Sequence, residues 1–181
     1  RAGIIDCLGS CRSAGHREGA WRLRTAAAGH IRFHDRLRGE LSEDIRQSCG
    51  DFVLKRRDGL YAYQLAVVVD DAASGVTEVV RGADLLDNTA RQCWLMQRLN
   101  LPWPRYLHLP LAVSHDGQKL SKQNHAPALD NERASDNLWQ ALHCLRHQPP
   151  APLRTAAVAE ILAWALENWR TEVIPTHSCP R

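Results

Sequence analysis

The sequence predicts an α/β layer followed by a helical appendage, and three observations carry that reading. From Asp51 to Val113, β-branched and apolar runs alternate with longer helix-like stretches. Glycine, proline and Asp-Asn-Thr punctuation separates most of those runs. After Asp130 the pattern becomes amphipathic helix alone. A chain of 181 residues is long enough to bury one real core.

Taken in order, the elements have local causes. Residues 1–40 contain six glycines and little periodicity, so they are expected to be loop-rich, with one short strand near Trp21 to Leu23. "DFVLKRRDG" reads as a strand running into a turn at Asp58-Gly59. "LYAYQLAVVVDD" suits a buried helix or a buried strand equally, because a continuous apolar run has no period to decide it. "GVTEVVRG" is a β-branched strand between Gly75 and Gly82. Asp87-Asn88-Thr89 offers an N-cap for a helix through Cys93, Trp94 and Gln97 that ends by Asn100, ahead of Pro102 and Pro104. "RYLHLPLAV" is the next strand. Ser135 is placed to cap a helix with Leu138, Ala141, Leu142 and Leu145 on one face. Pro149, Pro150 and Pro152 break it, and Thr155 is placed to cap a second helix through Ile161, Leu162, Ala165 and Trp169.

Charge is unevenly spread. The total is +3, but residues 1–40 hold eight arginines against four acidic residues, while the remainder sums to −1. Clustered arginine suits phosphate-backbone contact, and it equally suits a solvated surface. No apolar run approaches the roughly eighteen residues of a membrane-spanning helix. No signal-peptide pattern opens the sequence, and six cysteines in a chain of this length do not resemble a disulfide framework. The expected setting is the cytoplasm, with no membrane partner.

"LPLAVSHDGQKLSKQNHAPAL", residues 109 to 129, places Lys119 and Lys122 around a Leu-Ser pair just after a strand. Open α/β sheets bind ligands beyond the carboxyl ends of their strands, so two cations there suit an anion clamp. A solvated loop is the plainer reading, since lysine is usually exposed.

"KLSKQ" resembles the lysine signature loop of class I aminoacyl-tRNA synthetases, whose common form is Lys-Met-Ser-Lys-Ser. "RRDGLYAYQLAVVVDDAASGVTEVVRGADLLDNTARQ" is similar to the matching stretch of the glutamyl branch of that class. With the lysine loop it is most similar to the glutamyl-Q tRNA(Asp) synthetases, paralogues that lack an anticodon-binding domain. Val67 stands where glutamyl-tRNA synthetases proper carry Asn, and about fifty residues follow the lysine loop. Both features favour the paralogue. The resemblance is specific over residues 51–129 and weaker on either side.

The resemblance implies the second half of a Rossmann-type catalytic fold over residues 46–129. A loop-rich basic remnant of the family's zinc region precedes it over 1–45, and a helical stem-contact-like segment follows over 130–181. The implied reaction joins glutamate to ATP as glutamyl-adenylate, then passes the glutamyl group to queuosine in the anticodon of tRNA(Asp), with Mg2+ accompanying ATP. Lys122 is the implied catalytic cation, with Lys119 as its helper. Arg81 and Tyr63 are implied to hold glutamate, although Tyr63 alone would read as a core aromatic. The backbone of His108 and Leu109 is implied at adenine. Cys11 matches the last ligand of the family's Zn2+ site; Cys7 and Cys11 alone cannot complete a tetrahedral set. The family's His-x-Gly-His motif does not occur, so the sequence is expected to be the carboxyl-terminal portion of a larger, monomeric synthetase. A non-catalytic RNA-binding or degenerate fragment and a shortened glutamyl-tRNA synthetase are the alternatives.

Overall fold

The structure is a computed structural model describing residues 19–114, 117–121, 126 and 128–180. In chain order its regular elements are β1 (Trp21–Leu23), β2 (His30–Asp35), β3 (Gly39–Asp44), α1 (Ile45–Ser48), β4 (Phe52–Lys55), α2 (Tyr63–Ala73) and β5 (Glu78–Gly82). They continue as α3 (Leu86–Leu99), β6 (Arg105–Leu109), β7 (Ala112–Val113), α4 (Ala134–Cys144), α5 (Val158–Asn168) and β8 (Cys179–Pro180). Three sheets result: an antiparallel β1–β4 ribbon, a four-stranded sheet in the order β3-β2-β6-β5, and a β7–β8 pair.

β6 is the inner parallel strand, paired with β2 on one side and β5 on the other. Tyr106, Leu107 and His108 are buried in succession, as expected of a strand covered on both faces. In β2 the buried positions alternate, with Ile31, Phe33 and Asp35 inward and His30, Arg32 and His34 outward. This alternation replaces the loop expected over residues 30–35, while the short strand expected near Trp21 is present as β1. Gly29 and Gly39, with φ of 62° and 76°, mark turns on either side of β2.

The ambiguous apolar run is a helix from Tyr63 onward. Its eleven residues, Tyr63–Ala73, exceed the length of a buried strand. The next helix begins at Leu86, preceded by a 3-10 turn over Ala83–Leu85. Asp87, Asn88 and Thr89 therefore lie in its first turn rather than ahead of it. Its other end agrees with expectation: α3 stops at Leu99, and Asn100 takes a φ of 55°.

Pro110 divides "RYLHLPLAV" in two, and the residues beyond it pair with the chain's last strand. The expected caps of the appendage also fall elsewhere. Asp130 caps the 3-10 turn before α4 by accepting from Glu132 N, while Ser135 Oγ donates to Ala156 O at 2.7 Å. Thr155 is consumed by a 3-10 helix starting after Pro150, so α5 starts behind Ala157 with no side-chain cap.

Two compact units are present, each assembled from separated segments. One comprises, among the described residues, 19–31, 43–75 and 90–102. Its core includes Ile45, Val68, Cys93 and Trp94, and Trp94 Nε1 donates to Arg24 O at 3.2 Å. The other comprises residues 32–42, 76–89 and 103–181. Its core includes Phe33, Tyr106, Leu142 and Ile161, and Phe33 meets Tyr106 edge to face at 6.1 Å. In the helical part of this second unit, Asp136 accepts from Arg154 Nε at 2.5 Å and Gln140 Nε2 at 2.9 Å, and also from Arg133. That cluster ties α4 to the 3-10 helix over Ala151–Thr155. No helix among the described residues is long and apolar enough to cross a membrane.

β5 is an outer strand of its sheet, and its Val80 is 55 % exposed. Leu166 on α5 is 83 % exposed. An uncovered parallel edge with apolar side chains is a template for association. The 181-residue chain by itself is therefore expected to bind a hydrophobic dye and to self-associate at micromolar concentration. Light scattering and dye fluorescence check this; a cooperative melt of a dye-free monomer is the contrary result.

Candidate active site

The site begins with register. On the parallel β5–β6 pair, Arg81 stands opposite His108 and Gly82 opposite Leu109, so the first two side chains share a face of the sheet. Arg81 Nε lies 3.0 Å from His108 Nε2, and Arg81 Nη2 donates to Thr89 Oγ1 at 2.8 Å. Thr89 Oγ1 is itself 3.2 Å from the same His108 nitrogen. Behind them, His108 Nδ1 lies 2.7 Å from Asp35 Oδ2, and the His108 backbone N–H donates to that oxygen at 3.0 Å. The other carboxylate oxygen of Asp35 accepts from Leu37 N and Arg38 N, both at 3.0 Å. Asp35, Thr89 and His108 are fully buried.

This network assigns the imidazole. Two donors converge on Nε2, so that nitrogen is the acceptor and the ring proton sits on Nδ1, facing the carboxylate. Burial pushes the His108 pKa below its ordinary value of 6.5; the Arg81 charge acts the same way, and the bond to Asp35 opposes them. Asp35 and His108 thus form a neutral-imidazole hydrogen bond, not an ion pair. Arg81 is fixed through Nε and Nη2, and its guanidinium carbon lies 5.6 Å from the Tyr106 ring centroid. Among the described residues, its Nη1 has no hydrogen-bond partner.

Just past β5, the Asp84 carboxylate folds back over Gly82. A Cβ at Gly82 would lie 2.5 Å from Asp84 Oδ1 and 3.2 Å from Leu111 Cδ2. Asp84 Oδ2 accepts from Lys119 Nζ at 2.6 Å, and that bond holds the Asp84 carboxyl below its usual range. Lys119 therefore sits beside a carboxylate on the loop after β7, with a bridge from its backbone to Val113.

Arg81, Leu109 and Lys119 thus belong to one unit, at or just beyond the carboxyl ends of strands. Tyr63, half exposed at the first position of α2, belongs to the other unit. Lys122 and Cys11 lie outside the described residues. Among the described residues no group of three or more His, Cys, Asp or Glu side chains is arranged to hold a metal ion. Asp35, Thr89, Asp84 and the His108 ring were not singled out from sequence as site residues. The alternation of "HIRFHD", ending on an inward carboxylate, was the available signal for the first of them.

Residues 11–144 match the family of tRNA synthetases class I (E and Q), catalytic domain. The chain belongs to that family. Relatives named glutamyl-Q tRNA(Asp) synthetase include one from Thiobacillus denitrificans, 52 % identical over 180 residues, covering 98 % of this chain and 60 % of the relative. Another, from Pseudomonas aeruginosa, is 50 % identical over 176 residues, covering 96 % of this chain and 59 % of the relative. The chain thus spans about 60 % of the length of the curated relatives it matches. A glutamate-tRNA synthetase structure from Elizabethkingia anophelis superposes with a TM-score of 0.68 at 18 % identity, over 88 % of this chain and 36 % of that one. That likeness shows the class I synthetase fold.

Two outcomes are expected of the buried network in this class I synthetase chain. Asp35→Asn removes a charge-assisted acceptor and costs about 1.5–3 kcal/mol in denaturant unfolding. Acid also weakens the fold. The pKa values of His108 and His147 are both lowered, chiefly by burial. Below their ordinary value of 6.5, the unfolded chain takes up protons that the folded chain refuses. Stability from this source is complete above that value and declines as pH falls beneath it. Melting temperatures from about pH 7.5 to about pH 5.5 are expected to fall, with a shallower slope in His108→Gln.

Proposed function

We propose that this chain supplies the carboxyl-side part of a catalytic site that activates glutamate with ATP and passes it to tRNA(Asp), at queuosine in the anticodon. The observation that carries the reading is Arg81. It is a guanidinium held by a buried Asp35–His108–Thr89 network, at the end of a parallel strand, with Nη1 left for a ligand. A planar cation fixed on two of its nitrogens is prepared to receive a carboxylate on its remaining edge. The names of the relatives support glutamate and tRNA(Asp) as substrates.

In this reading Arg81 orients glutamate through a carboxylate, and Tyr63 adds a hydroxyl. The backbone at Leu109, beyond which β6 ends, receives adenine. Attack of the free carboxylate on the α-phosphate gathers negative charge in the transition state, and Lys122 is the preorganised cation that stabilises it. Lys119, held by Asp84, positions the loop and adds positive potential. Mg2+ accompanies ATP as part of that substrate. A zinc site would draw Cys11 into its ligand set. The helical segment over residues 130–181 contacts the RNA stem.

The test uses the chain carried at the full length of its relatives, in glutamate-dependent ATP–pyrophosphate exchange. Arg81→Ala is expected to lower the specificity constant for glutamate by about one to two decades while that for ATP changes far less. Equal loss for both substrates would overturn the glutamate assignment. Lys122→Ala is expected to slow adenylate formation by about 10²-fold or more with little change in ATP affinity, and Lys122→Arg to recover only part. Rates within about twofold of the unsubstituted enzyme for either variant would remove Lys122 from the chemistry.

A further inference from the structure

The face of the β1–β4 ribbon carries a row of side chains that the reaction above does not use. Trp21 is the register partner of Lys55 across the antiparallel pair, and Lys55 bridges Tyr61 on its other side. The turn between Lys55 and Tyr61 is closed by Arg56 N donating to Leu60 O at 2.8 Å and Ala62 N donating to Leu54 O at 2.8 Å. Residues opposite one another across paired backbone share a face. Trp21, Lys55 and Tyr61 therefore stand side by side, aromatic–cation–aromatic. The Lys55 ammonium lies 5.2 Å from the centroid of each ring.

The rings are not core residues. Trp21 is 65 % exposed and Tyr61 63 % exposed, so both leave large apolar area in water that folding itself does not remove. The turn that leads from Lys55 to Tyr61 also carries Arg57, which is exposed, and Arg56, which is paired to Asp58 at 2.6 Å. Arg22, next to Trp21, uses Nη1 to hold Asp51 O.

We propose that this row is a stacking platform for unpaired bases of an RNA strand, with Lys55 meeting the phosphate between two successive bases. The match is one of chemistry and order. A single strand presents base, phosphate, base, and the ribbon presents ring, cation, ring. Stacking on an aromatic face is tolerant of base identity, because every base has a π face, and cations beside the rings supply the phosphate contact. The ammonium stands at the centre of the row, between the two rings, so charge complementarity selects the polyanion over an apolar protein face. The inference rests on the RNA partner in the reading above; it adds a binding surface to that partner and uses none of the residues that hold glutamate or ATP.

A short, mixed-sequence single-stranded RNA labelled with fluorescein, titrated at low salt with the protein carried at the full length of its relatives and followed by anisotropy, tests it. The chain is expected to bind, Trp21→Ala and Tyr61→Ala each to weaken binding about tenfold, and Trp21→Phe to retain most of it. Lys55→Gln is expected to reduce the slope of log affinity against log salt by about one. Thermal melts of each variant accompany the titrations, and Trp21→Phe keeps the test informative if an alanine variant fails to fold. Absence of binding by the unsubstituted protein, or an unchanged affinity in folded Trp21→Ala and Tyr61→Ala relative to it, overturns the platform. So does binding that follows self-association or an added protein instead of RNA. In the full-length form, Trp21→Ala is expected to leave RNA-free, glutamate-dependent pyrophosphate exchange unchanged. Failure of the platform and failure of the glutamate reading thus appear in different assays.

Discussion

A buried carboxylate constrains everything around the candidate site. Asp35 ends β2 with no exposure to solvent, and such a charge is tolerated only if its oxygens are satisfied. Four donors meet that demand: two backbone N–H groups of the following turn, the backbone N–H of His108 and the His108 ring. The first two shape the turn into β3. The last two hold β6 beside β2 and fix the imidazole tautomer, which leaves Nε2 as an acceptor for Arg81. One interaction therefore sets a turn, a strand pairing and the direction of a guanidinium two strands away. Had Asp35 been apolar, the turn, the strand and the arginine would each have needed a separate device.

The same economy operates at the end of β5. Gly82 has no side chain, so Asp84 can turn back over the strand end and reach Lys119. The lysine loop thereby begins from a point attached to the sheet. A lone exposed ion pair contributes little to stability. Its consequence is positional, because it decides where Lys119 stands relative to the strand ends. Arg81 and Lys119 differ in this respect. Arg81 is organised by buried neutral groups, whereas Lys119 is held directly by an opposite charge.

Much of the fold was legible locally. β1, β4 and β5, the turn at Asp58-Gly59 and the end of α3 before Pro102 follow from β-branched runs, turn residues and proline. Arg81 and the lysine loop could be singled out because the motif order resembles that of a known class. The misses share a cause. β2 lies among glycines whose number suggested loop, and its alternation was outweighed. Ser135 and Thr155 have the chemistry of helix caps, but a cap also needs the helix to begin at the next residue. Asp130 and the prolines moved those starting points. Thr89 looked like a cap for the same reason, and it is a buried partner of Arg81.

The sequence by itself determined the class of layer, the order of most elements, the strand carrying Arg81 and the family to which the chain belongs. These properties depend on spacing along the chain, which a linear text preserves. Tertiary structure alone decided that Thr89 and His108 converge on Arg81 with Asp35 behind the imidazole, that Asp84 reaches back to Lys119, and that Trp21 and Tyr61 share one lysine. Each of those groupings joins residues from 6 to 73 positions apart. Their meeting is set by parallel register, by a glycine that leaves room and by the need of buried charge for partners, none of which is a local property of the chain.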